Sequence, residues 1–217
     1  MTSRQLVLWR HGRTAWNVEG RAQGQTDVPL DDVGRGQARE AAARLASLAP
    51  SLVWSSDLSR ASDTATELTQ LNGVDLRLDA RLREIHVGAR QGMTFVEARA
   101  RFPSAWEAVQ AGDEPPRAPG GEVEAEVGIR MAEVIRDAVS CLGPGEVGVL
   151  VSHGVSIRVG LCCFLGLPQE HWRLFSGVSN CAWVVLAELR GGWRLVDYNA
   201  GSLPQPVLSD DQLATAE

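Results

Sequence analysis

The sequence predicts an α/β fold, a three-layer sandwich with a mostly parallel central sheet flanked by helices. Two observations lead to this fold class. Short, continuous apolar runs such as Leu6–Trp9 and Val147–Val151 are typical of strands that are covered on both faces. Between such runs lie longer segments whose apolar residues recur with the period of an α-helix. Alternating strands and helices indicate an α/β sandwich.

The first half of the chain continues this alternation. Val33–Leu48 is predicted to be a helix that ends before Pro50, because proline cannot continue a helix. Its apolar residues share one helical face: Ala38, Ala41, Ala42, Leu45 and Leu48. Leu52–Trp54 is a weaker candidate for a strand of the same buried kind.

A second helix is predicted after that strand. Ser56 or Asp57 is a suitable N-cap, because a short polar side chain can accept hydrogen bonds from the first free backbone N–H groups. Asn72-Gly73 supplies the C-terminal exit. The apolar side of this helix carries Leu58, Ala61, Ala65, Leu68 and Leu71. A short strand, Leu76–Leu78, follows.

The second half of the chain predicts four further helices: Thr94–Arg101, Pro103–Ala111, Glu122–Leu142 and Val155–Leu165. Residues 112–121 are rich in proline and glycine and are expected to form a loop. Cys181–Leu189 and Trp193–Tyr198 are predicted to be a terminal hairpin. The polar residues from Ser202 onward are expected to form a tail.

Composition narrows the range of partners. With 217 residues and 44% apolar content, the chain is expected to form a single domain over residues 1–217. The formal charge of −6 disfavours nucleic acid and anionic membranes as partners. All 21 basic residues are arginine. The absence of lysine excludes Schiff-base chemistry and the lysine of a P-loop.

The cysteines and apolar runs predict a protein of the reducing cytoplasm. Cys141, Cys162, Cys163 and Cys181 lack metal-ligand spacing, so buried free thiols are expected rather than zinc or disulfides. We expect no metal and no cofactor. The longest apolar run, Val159–Leu167, is about half the length of a membrane span. The sequence does not fix the oligomeric state, although a homodimer is compatible with it.

Candidate chemistry follows the two clearest strands. Each strand is followed by a histidine and a glycine, in His11-Gly12 and His153-Gly154. Open α/β sheets bind ligands at the carboxyl ends of their strands, and glycine allows close approach of a ligand to the backbone. Arg10 precedes the first histidine, and Arg60 lies in the first turn of a predicted helix, where anions are favoured. We therefore expect these groups to share one pocket.

Such a pocket suits phosphoryl transfer. Guanidinium groups match phosphate oxygens, and a neutral imidazole is a nucleophile. The reaction also needs an acid that protonates the leaving oxygen, and Glu84 is the best placed candidate. From the residues alone, Glu84 could instead be a surface ion-pair partner of Arg81 or Arg83.

These motifs resemble the histidine phosphatase superfamily, also called the phosphoglycerate-mutase-like proteins, over roughly residues 5–200. The matching residues occur in the order of the family: Arg10-His11-Gly12, Thr14, Asn17, Gln23-Gly24, Asp27, Leu30, Gly34, Ser55-Ser56, Arg60-Ala61, Glu84, Gly88 and Ser152-His153-Gly154. The resemblance implies a phosphoglycerate mutase-like fold and a metal-independent phosphomonoesterase that acts on a small phosphorylated metabolite.

The resemblance also implies residue roles. His11 would be the nucleophile and become phosphohistidine, and Glu84 would be the general acid and then the base that activates water. Three residues would hold the transferring phosphoryl group: Arg10, Arg60 and His153. Four would line the substrate side of the site: Asn17, Gln23, Gly24 and Gly154.

Departures from the mutase branch favour hydrolysis. That branch follows its glutamate with Arg-His-Tyr-Gly and soon Asn-Lys, and adds a long basic insertion. This chain has Ile85-His86-Val87-Gly88, then Gln91-Gly92-Met93-Thr94. The Ser55–Leu58 turn and the Arg81–Glu84 run resemble the actinobacterial glucosyl-3-phosphoglycerate phosphatases. A mutase-type phosphoryl transfer and a non-catalytic regulator that binds a phospho-ligand remain the alternatives.

Other polar residues have simpler interpretations. His86 and His171 are expected to be structural, because neither ends a clear strand. Arg13, Arg21 and Arg90 could help to recognise an acidic substrate, although solvated surface arginines are the commoner case, and Trp16 could line the mouth of the pocket. Relatives often have Gly-Gly-Glu-Ser where this chain has Gly120-Gly121-Glu122-Val123, which could alter substrate contacts or helix capping.

Overall fold

A six-stranded sheet forms the centre of the computed structural model, which describes residues 3–111, 118–189 and 191–201. Its strands are β1 Gln5–Arg10, β2 Leu52–Ser55, β3 Leu76–Leu78, β4 Val147–Ser152, β5 Trp183–Leu189 and β6 Gly192–Ala200. The strand order is β3-β2-β4-β1-β5-β6. β1 to β4 run parallel, whereas β5 is antiparallel to β1 and β6 to β5. The predicted, mostly parallel sheet and the terminal hairpin are confirmed.

Helices flank this sheet. The described α-helices are α1 Ala15–Val18, α2 Asp32–Ala46, α3 Ser59–Asn72, α4 Phe95–Arg101, α5 Pro103–Gln110, α6 Glu124–Ser140 and α7 Gly154–Phe164. Three 3₁₀ helices accompany them: Ala80–Leu82, Gly88–Arg90 and Gln169–Leu174. The sequence did not predict α1 or the 3₁₀ helices, because one or two turns are too short to display a helical period.

The continuous apolar runs are explained by burial on both faces of the sheet. Along β1, Leu6 and Leu8 belong to one core cluster, whereas Val7 and Trp9 belong to another. The first cluster includes residues of α6 and α7, and the second includes residues of α2 and α3. All four side chains are fully buried. Each contributes about 1.5–3 kcal/mol through the hydrophobic effect, which favours this strand strongly.

The predicted N-cap of α3, Ser56 or Asp57, is wrong. Leu58 occupies the cap position, and its side chain makes no capping hydrogen bond. Instead, Asp27 Oδ1 accepts a hydrogen bond from the backbone N–H of Ser59, at 2.8 Å. This carboxylate caps the helix from a distant loop, so the local sequence carries no signal for it.

Element boundaries differ from the predictions where the backbone leaves the regular conformation. β5 begins at Trp183 rather than Cys181, because Cys181 has a left-handed φ of 57°. α2 ends at Ala46, two residues before the predicted end, and Ala49 has a φ of 47°. α6 begins at Glu124 because the preceding residue, Val123, has extended backbone.

Gly12 has a different role from the one predicted. A Cβ atom on Gly12 would lie 2.4 Å from the carbonyl oxygen of Gly34, and one on Gly34 would lie 2.0 Å from that of Arg13. The absence of a side chain at Gly12 therefore allows the loop after β1 to pack against the start of α2, rather than allowing a ligand to approach the backbone.

Within residues 3–111, 118–189 and 191–201, no helix has the length and apolar character that a membrane span requires. The predicted tail from Ser202 lies outside the described residues, as do residues 112–117 of the predicted loop.

Candidate active site

The register of the sheet brings the two His-Gly segments together. β1 and β4 are parallel neighbours in which Arg10 pairs with Ser152, so the next residues, His11 and His153, leave the sheet side by side. The centroids of their rings lie 5.0 Å apart. Both side chains are buried, with exposed fractions of 3% and 0%. Two strand ends distant in sequence thus build one site.

His11 is held as a neutral imidazole. Its Nδ1 lies 2.7 Å from the carbonyl oxygen of Gly12. A carbonyl can only accept, so Nδ1 carries the proton and Nε2 keeps its lone pair. Burial, followed by the positive charges of Arg60 and Arg10, lowers the pKa of His11 well below its ordinary value. The Nε2 atom is therefore available as a nucleophile at neutral pH.

Arg60 is a fully buried cation at the start of α3. Its Nη1 donates to the carbonyl oxygen of Thr26 and its Nη2 to that of Gly24, both at 2.8 Å. Its Nε donates to Nδ1 of His153 at 3.2 Å. Burial lowers the pKa of Arg60 to about 10, so the guanidinium stays charged at neutral pH. These contacts fix its orientation before any ligand binds.

Arg10 provides a second buried guanidinium. Its Nη1 donates to the carbonyl oxygen of Val178 at 2.5 Å. A Cβ atom on Gly154 would lie 3.4 Å from its Cζ. The absence of a side chain at Gly154 therefore keeps space open beside this guanidinium, at the first residue of α7.

Glu84 docks onto the N-terminus of α7. Its carboxylate accepts hydrogen bonds from the backbone N–H groups of Val155 at 3.2 Å and Ser156 at 3.0 Å. The hydroxyl of Ser156 and the N–H of Ile85 also donate to it, each at 3.0 Å. A helix N-terminus favours a negative charge, which explains why the carboxylate is bound there.

The alternative interpretation of Glu84 as an ion-pair partner of the neighbouring arginines is wrong. Arg83 pairs with Asp57 at 2.5 Å, and Arg81 pairs with Asp79 at 2.8 Å. Glu84 is therefore available to the pocket that it lines.

An ion pair that the sequence analysis missed holds the segment bearing Glu84. Arg130 of α6 donates to both carboxylate oxygens of Glu122 at 3.0 Å. The same guanidinium donates to three backbone carbonyls, those of Arg81 at 2.7 Å, Arg83 at 2.6 Å and Glu84 at 3.1 Å. Glu122 also accepts from the N–H of His86 at 2.7 Å. The Gly120-Gly121-Glu122 motif was the signal in the sequence for this ion pair, but the sequence did not indicate Arg130 as the partner of Glu122.

His153 lies beside the pocket rather than among its lining residues. Its Nδ1 accepts from Arg60, so Nε2 carries the proton and donates to Ser56 Oγ at 2.9 Å. Burial, with smaller effects of nearby cations led by Arg60, lowers its pKa well below the ordinary value. Both ring nitrogens are thus engaged by the protein.

The other predicted site residues meet in one pocket: Arg10, His11, Asn17, Gln23, Gly24, Arg60, Glu84 and Gly154. Asn17 Oδ1 accepts from the N–H of Thr14 at 3.1 Å and from Asn180 Nδ2 at 3.3 Å. Gln23 is buried, and its Oε1 has no hydrogen-bond partner among the described residues. A ligand hydroxyl group would satisfy this acceptor.

Further residues of the pocket carry positive charge. Arg158 of α7, which the sequence analysis did not select, lines the pocket, as does Arg21. The position of Arg158, one turn along α7 from Gly154, was the signal in the sequence that could have identified it. Arg90 is 6% exposed, so it is buried and is not a solvated surface arginine. Arg13 pairs with Asp31 at 2.8 Å and does not line the pocket.

Trp16 also lines the pocket, whereas His86 and His171 do not. The cysteines are free thiols, as predicted, but Cys141 is exposed rather than buried. In the described part of the chain, no cluster of three or more His, Cys, Asp or Glu side chains is arranged to hold a metal ion.

Comparison with known proteins gives matches to a family, to relatives in sequence and to solved structures. The family model for the histidine phosphatase superfamily (branch 1) matches residues 6–201. The glucosyl-3-phosphoglycerate phosphatase of Mycolicibacterium vanbaalenii is 41% identical over 194 residues, which cover 86% of this chain and 85% of that protein. A probable phosphoglycerate mutase of an Enterobacter species is 36% identical over 179 residues, or 82% of each chain.

A solved structure is similar to this chain over its whole length. It is a mycobacterial glucosyl-3-phosphoglycerate phosphatase in complex with VO3, with a TM-score of 0.84 and 38% identity. The match covers 91% of this chain and 100% of that chain.

Proposed function

The chain belongs to the histidine phosphatase superfamily and is a phosphoric monoester hydrolase, and we propose that it releases phosphate from a small phosphorylated metabolite through a covalent phosphohistidine at His11. One observation carries this proposal. A neutral imidazole with a free Nε2 lone pair lies in the same pocket as two buried guanidinium groups and a carboxyl group. No metal ion takes part in the proposed reaction.

In the first step, Nε2 of His11 attacks the phosphorus atom in line with the ester oxygen. The N–P bond forms as the P–O bond breaks, and Arg10 and Arg60 stabilise the charge on the transferring oxygens. Glu84 donates a proton to the leaving oxygen, so that a neutral alcohol departs. The position of Glu84 on the wall of the pocket supports this role.

In the second step, the carboxylate of Glu84 accepts a proton from water. The water oxygen attacks the phosphorus atom of the phosphohistidine, and the N–P bond breaks. Inorganic phosphate leaves, and the lone pair returns to Nε2 of His11. The carboxyl group is protonated again for the next cycle. One residue thus acts as acid and then as base, as microscopic reversibility permits.

His153 is proposed to hold the phosphoryl group through Arg60. Its Nδ1 accepts a hydrogen bond from the Arg60 side chain, which fixes the plane of the guanidinium. In this arrangement the imidazole orients the cation, and the cation binds the phosphoryl oxygens.

We propose that the substrate is a phosphorylated metabolite similar to glucosyl-3-phosphoglycerate, the compound in the names of the relatives. Asn17, Gln23 and Gly24 would contact the leaving group, and the unpartnered Oε1 of Gln23 supports a hydroxyl there. The VO3 complex of the mycobacterial relative supports an oxyanion site in this fold. We place the reaction in the cytoplasm, where free thiols persist. A homodimer is a further prediction, which light scattering tests.

The deciding experiment measures hydrolysis of an aryl phosphate in the presence of EDTA. The wild-type protein should hydrolyse the aryl phosphate. A base-stable phosphohistidine should be trapped from labelled substrate, and no acid-stable adduct should form. His11→Ala should lower the rate by about 10⁴-fold or more and abolish the trapped species. Unchanged turnover in this variant would exclude the mechanism. A mutase, suggested by the Enterobacter relative, would instead interconvert phosphoglycerates after priming by a bisphosphate.

A further inference from the structure

The peptide bond between Gly12 and Arg13 is held at both of its polar ends. Its carbonyl oxygen lies 2.7 Å from Nδ1 of His11, and its N–H donates a hydrogen bond to Oε1 of Gln37 at 3.0 Å. Gln37 is a half-buried residue of α2. A backbone N–H can only donate, so the amide oxygen of Gln37 faces it rather than the amide nitrogen. One peptide unit thus connects α2 to the proposed nucleophile.

The hydrogen bond to Gln37 sets the direction of the carbonyl group. A peptide unit is a rigid plane in which the C=O and the N–H point to opposite sides. Holding the N–H of Arg13 toward Gln37 therefore holds the oxygen of Gly12 toward His11. The hydrogen bond made by one ring nitrogen of a histidine determines which nitrogen carries the proton. The lone pair on Nε2 of His11 consequently depends on the orientation of this peptide.

The opposite orientation of the peptide would remove the nucleophile. If the plane turned over, the N–H of Arg13 would point toward the imidazole, and Nδ1 of His11 would have to accept. The ring proton would then lie on Nε2, which would have no lone pair for the phosphorus atom. Gly12 has no Cβ atom, so its backbone opposes such a rotation less than that of any other residue. A contact from outside the loop is needed to prevent it.

The other contacts of this loop hold the neighbouring peptides instead. The N–H of Gly12, which belongs to the preceding peptide, donates to Thr64 Oγ1 at 3.1 Å. The carbonyl of Arg13, which belongs to the following peptide, accepts from the N–H of Asp31 at 3.1 Å. The side chains of Arg13 and Asp31 also form an ion pair, at 2.8 Å. These contacts attach the loop to α2 and α3, so it should stay in place without the amide of Gln37.

Gln37 acts on the site only through this peptide. Among the described residues, the bond from the N–H of Arg13 is the only hydrogen bond of the Gln37 side chain. Gln37 does not line the pocket, so it does not contact the substrate. Replacing its amide should therefore change the orientation of one peptide without changing the guanidinium groups that surround the phosphate.

We propose that Gln37 is a positioning residue that keeps the proton of His11 on Nδ1, by holding the Gly12–Arg13 peptide in one orientation. The inference rests on the proposed hydrolase function, because the location of this proton affects the rate only if Nε2 of His11 is the nucleophile.

The first test observes the proton directly. NMR of protein with isotope-labelled histidines distinguishes a ring nitrogen that bears a proton from one that does not, and comparison with His11→Ala assigns the signals. In the wild-type protein the proton of His11 should lie on Nδ1. Gln37→Met should move a large fraction of it to Nε2, whereas Gln37→Glu, which keeps an oxygen acceptor, should retain the wild-type pattern. Gln70→Met, on the exposed side of α3, is the matched control.

The second test measures kinetics. Gln37→Met should lower kcat for an aryl phosphate by about 10- to 100-fold, because an unpaired N–H shifts the balance of peptide orientations by about the value of one hydrogen bond. KM and the affinity for inorganic phosphate should stay within about twofold, because Arg10 and Arg60 are not affected. Gln37→Glu should recover the rate to within about threefold of the wild type.

Three outcomes would overturn the proposal. One is a wild-type protein with the proton of His11 on Nε2, a result that does not depend on whether any variant folds. Another is an unchanged proton position in Gln37→Met, which would show that any loss of activity is only structural. The third is a loss of rate in Gln37→Glu as large as that in Gln37→Met. A wild-type protein that has the proton on Nδ1 but hydrolyses no aryl phosphate contradicts the hydrolase function instead.

Discussion

Arg60 Nε donates a hydrogen bond to Nδ1 of His153, at 3.2 Å, in the fully buried part of the molecule next to the pocket. A cation therefore lies directly against an imidazole, and the centroid of the His11 ring lies 5.0 Å from the centroid of the His153 ring. Burial, followed by the positive charge of Arg60, keeps both rings neutral, with consequences for stability.

The two neutral histidines should make the protein sensitive to mild acid. Their pKa values are lowered in the folded state, so below the ordinary value of about 6.5 the unfolded chain binds protons that the folded chain does not. The free energy of unfolding should thus be fully maintained above that pH and fall as the pH decreases from it. Urea unfolding between about pH 5 and 8 measures the slope. His153→Asn should flatten it, and an identical slope in the two proteins would contradict this account.

Glu84 should matter most when the leaving group is poor. A general acid contributes about 10²- to 10⁴-fold when the departing oxygen needs a proton. Glu84→Gln should therefore lower the rate of the first step for alkyl phosphates by this factor. The loss in the first step should be much smaller for aryl phosphates, whose phenol leaving groups are acidic. Steady-state and burst kinetics on both substrate types separate the steps. The exposed Glu107→Gln provides the control, and equal losses in the first step for both types would argue against the acid role.

Arg130 should act as a positioning residue for Glu84. Its guanidinium binds Glu122 and three carbonyls of the segment that carries Glu84, and a lysine has too few correctly arranged donors to replace it. Arg130→Lys should lower kcat for alkyl phosphates by about tenfold or more, with a smaller effect on aryl phosphates and on KM. The exposed Arg136→Lys, on the same helix, is the control. A uniform loss on both substrate types would indicate a structural role only.

Two glycines of α2 should respond oppositely to alanine. A Cβ atom on Gly34 would lie 2.0 Å from the backbone oxygen of Arg13, whereas one on Gly36 would have nothing within 4 Å. Gly34→Ala should therefore destabilise the protein by about 1–3 kcal/mol, because the strand-end loop must move. Gly36→Ala should stabilise it by about 0.5–1 kcal/mol, because alanine favours helix. Denaturant unfolding measures both, and a loss of stability in Gly36→Ala equal to that in Gly34→Ala would refute the packing argument.

Much of the fold and part of the site could be predicted from local patterns. Apolar runs located the strands because a strand buried on both faces needs apolar residues at every position, as Leu6 to Trp9 illustrate. The same runs located the candidate chemistry, since His11 and His153 come directly after them. The glycine after each histidine was visible too, but its function was not, because Gly12 contacts Gly34 in another segment.

By itself, then, the sequence determined which segments become the strands and the longer helices and which reactive groups stand at the strand ends. Only the tertiary structure decided how those groups meet. It placed Asp27 at the start of α3, docked Glu84 on α7, and directed both ring nitrogens of His153 toward protein partners. The physical reason is that periodic burial is a local property of the chain. A hydrogen bond instead depends on distances and angles within a fraction of an ångström, which are set when separate segments pack together.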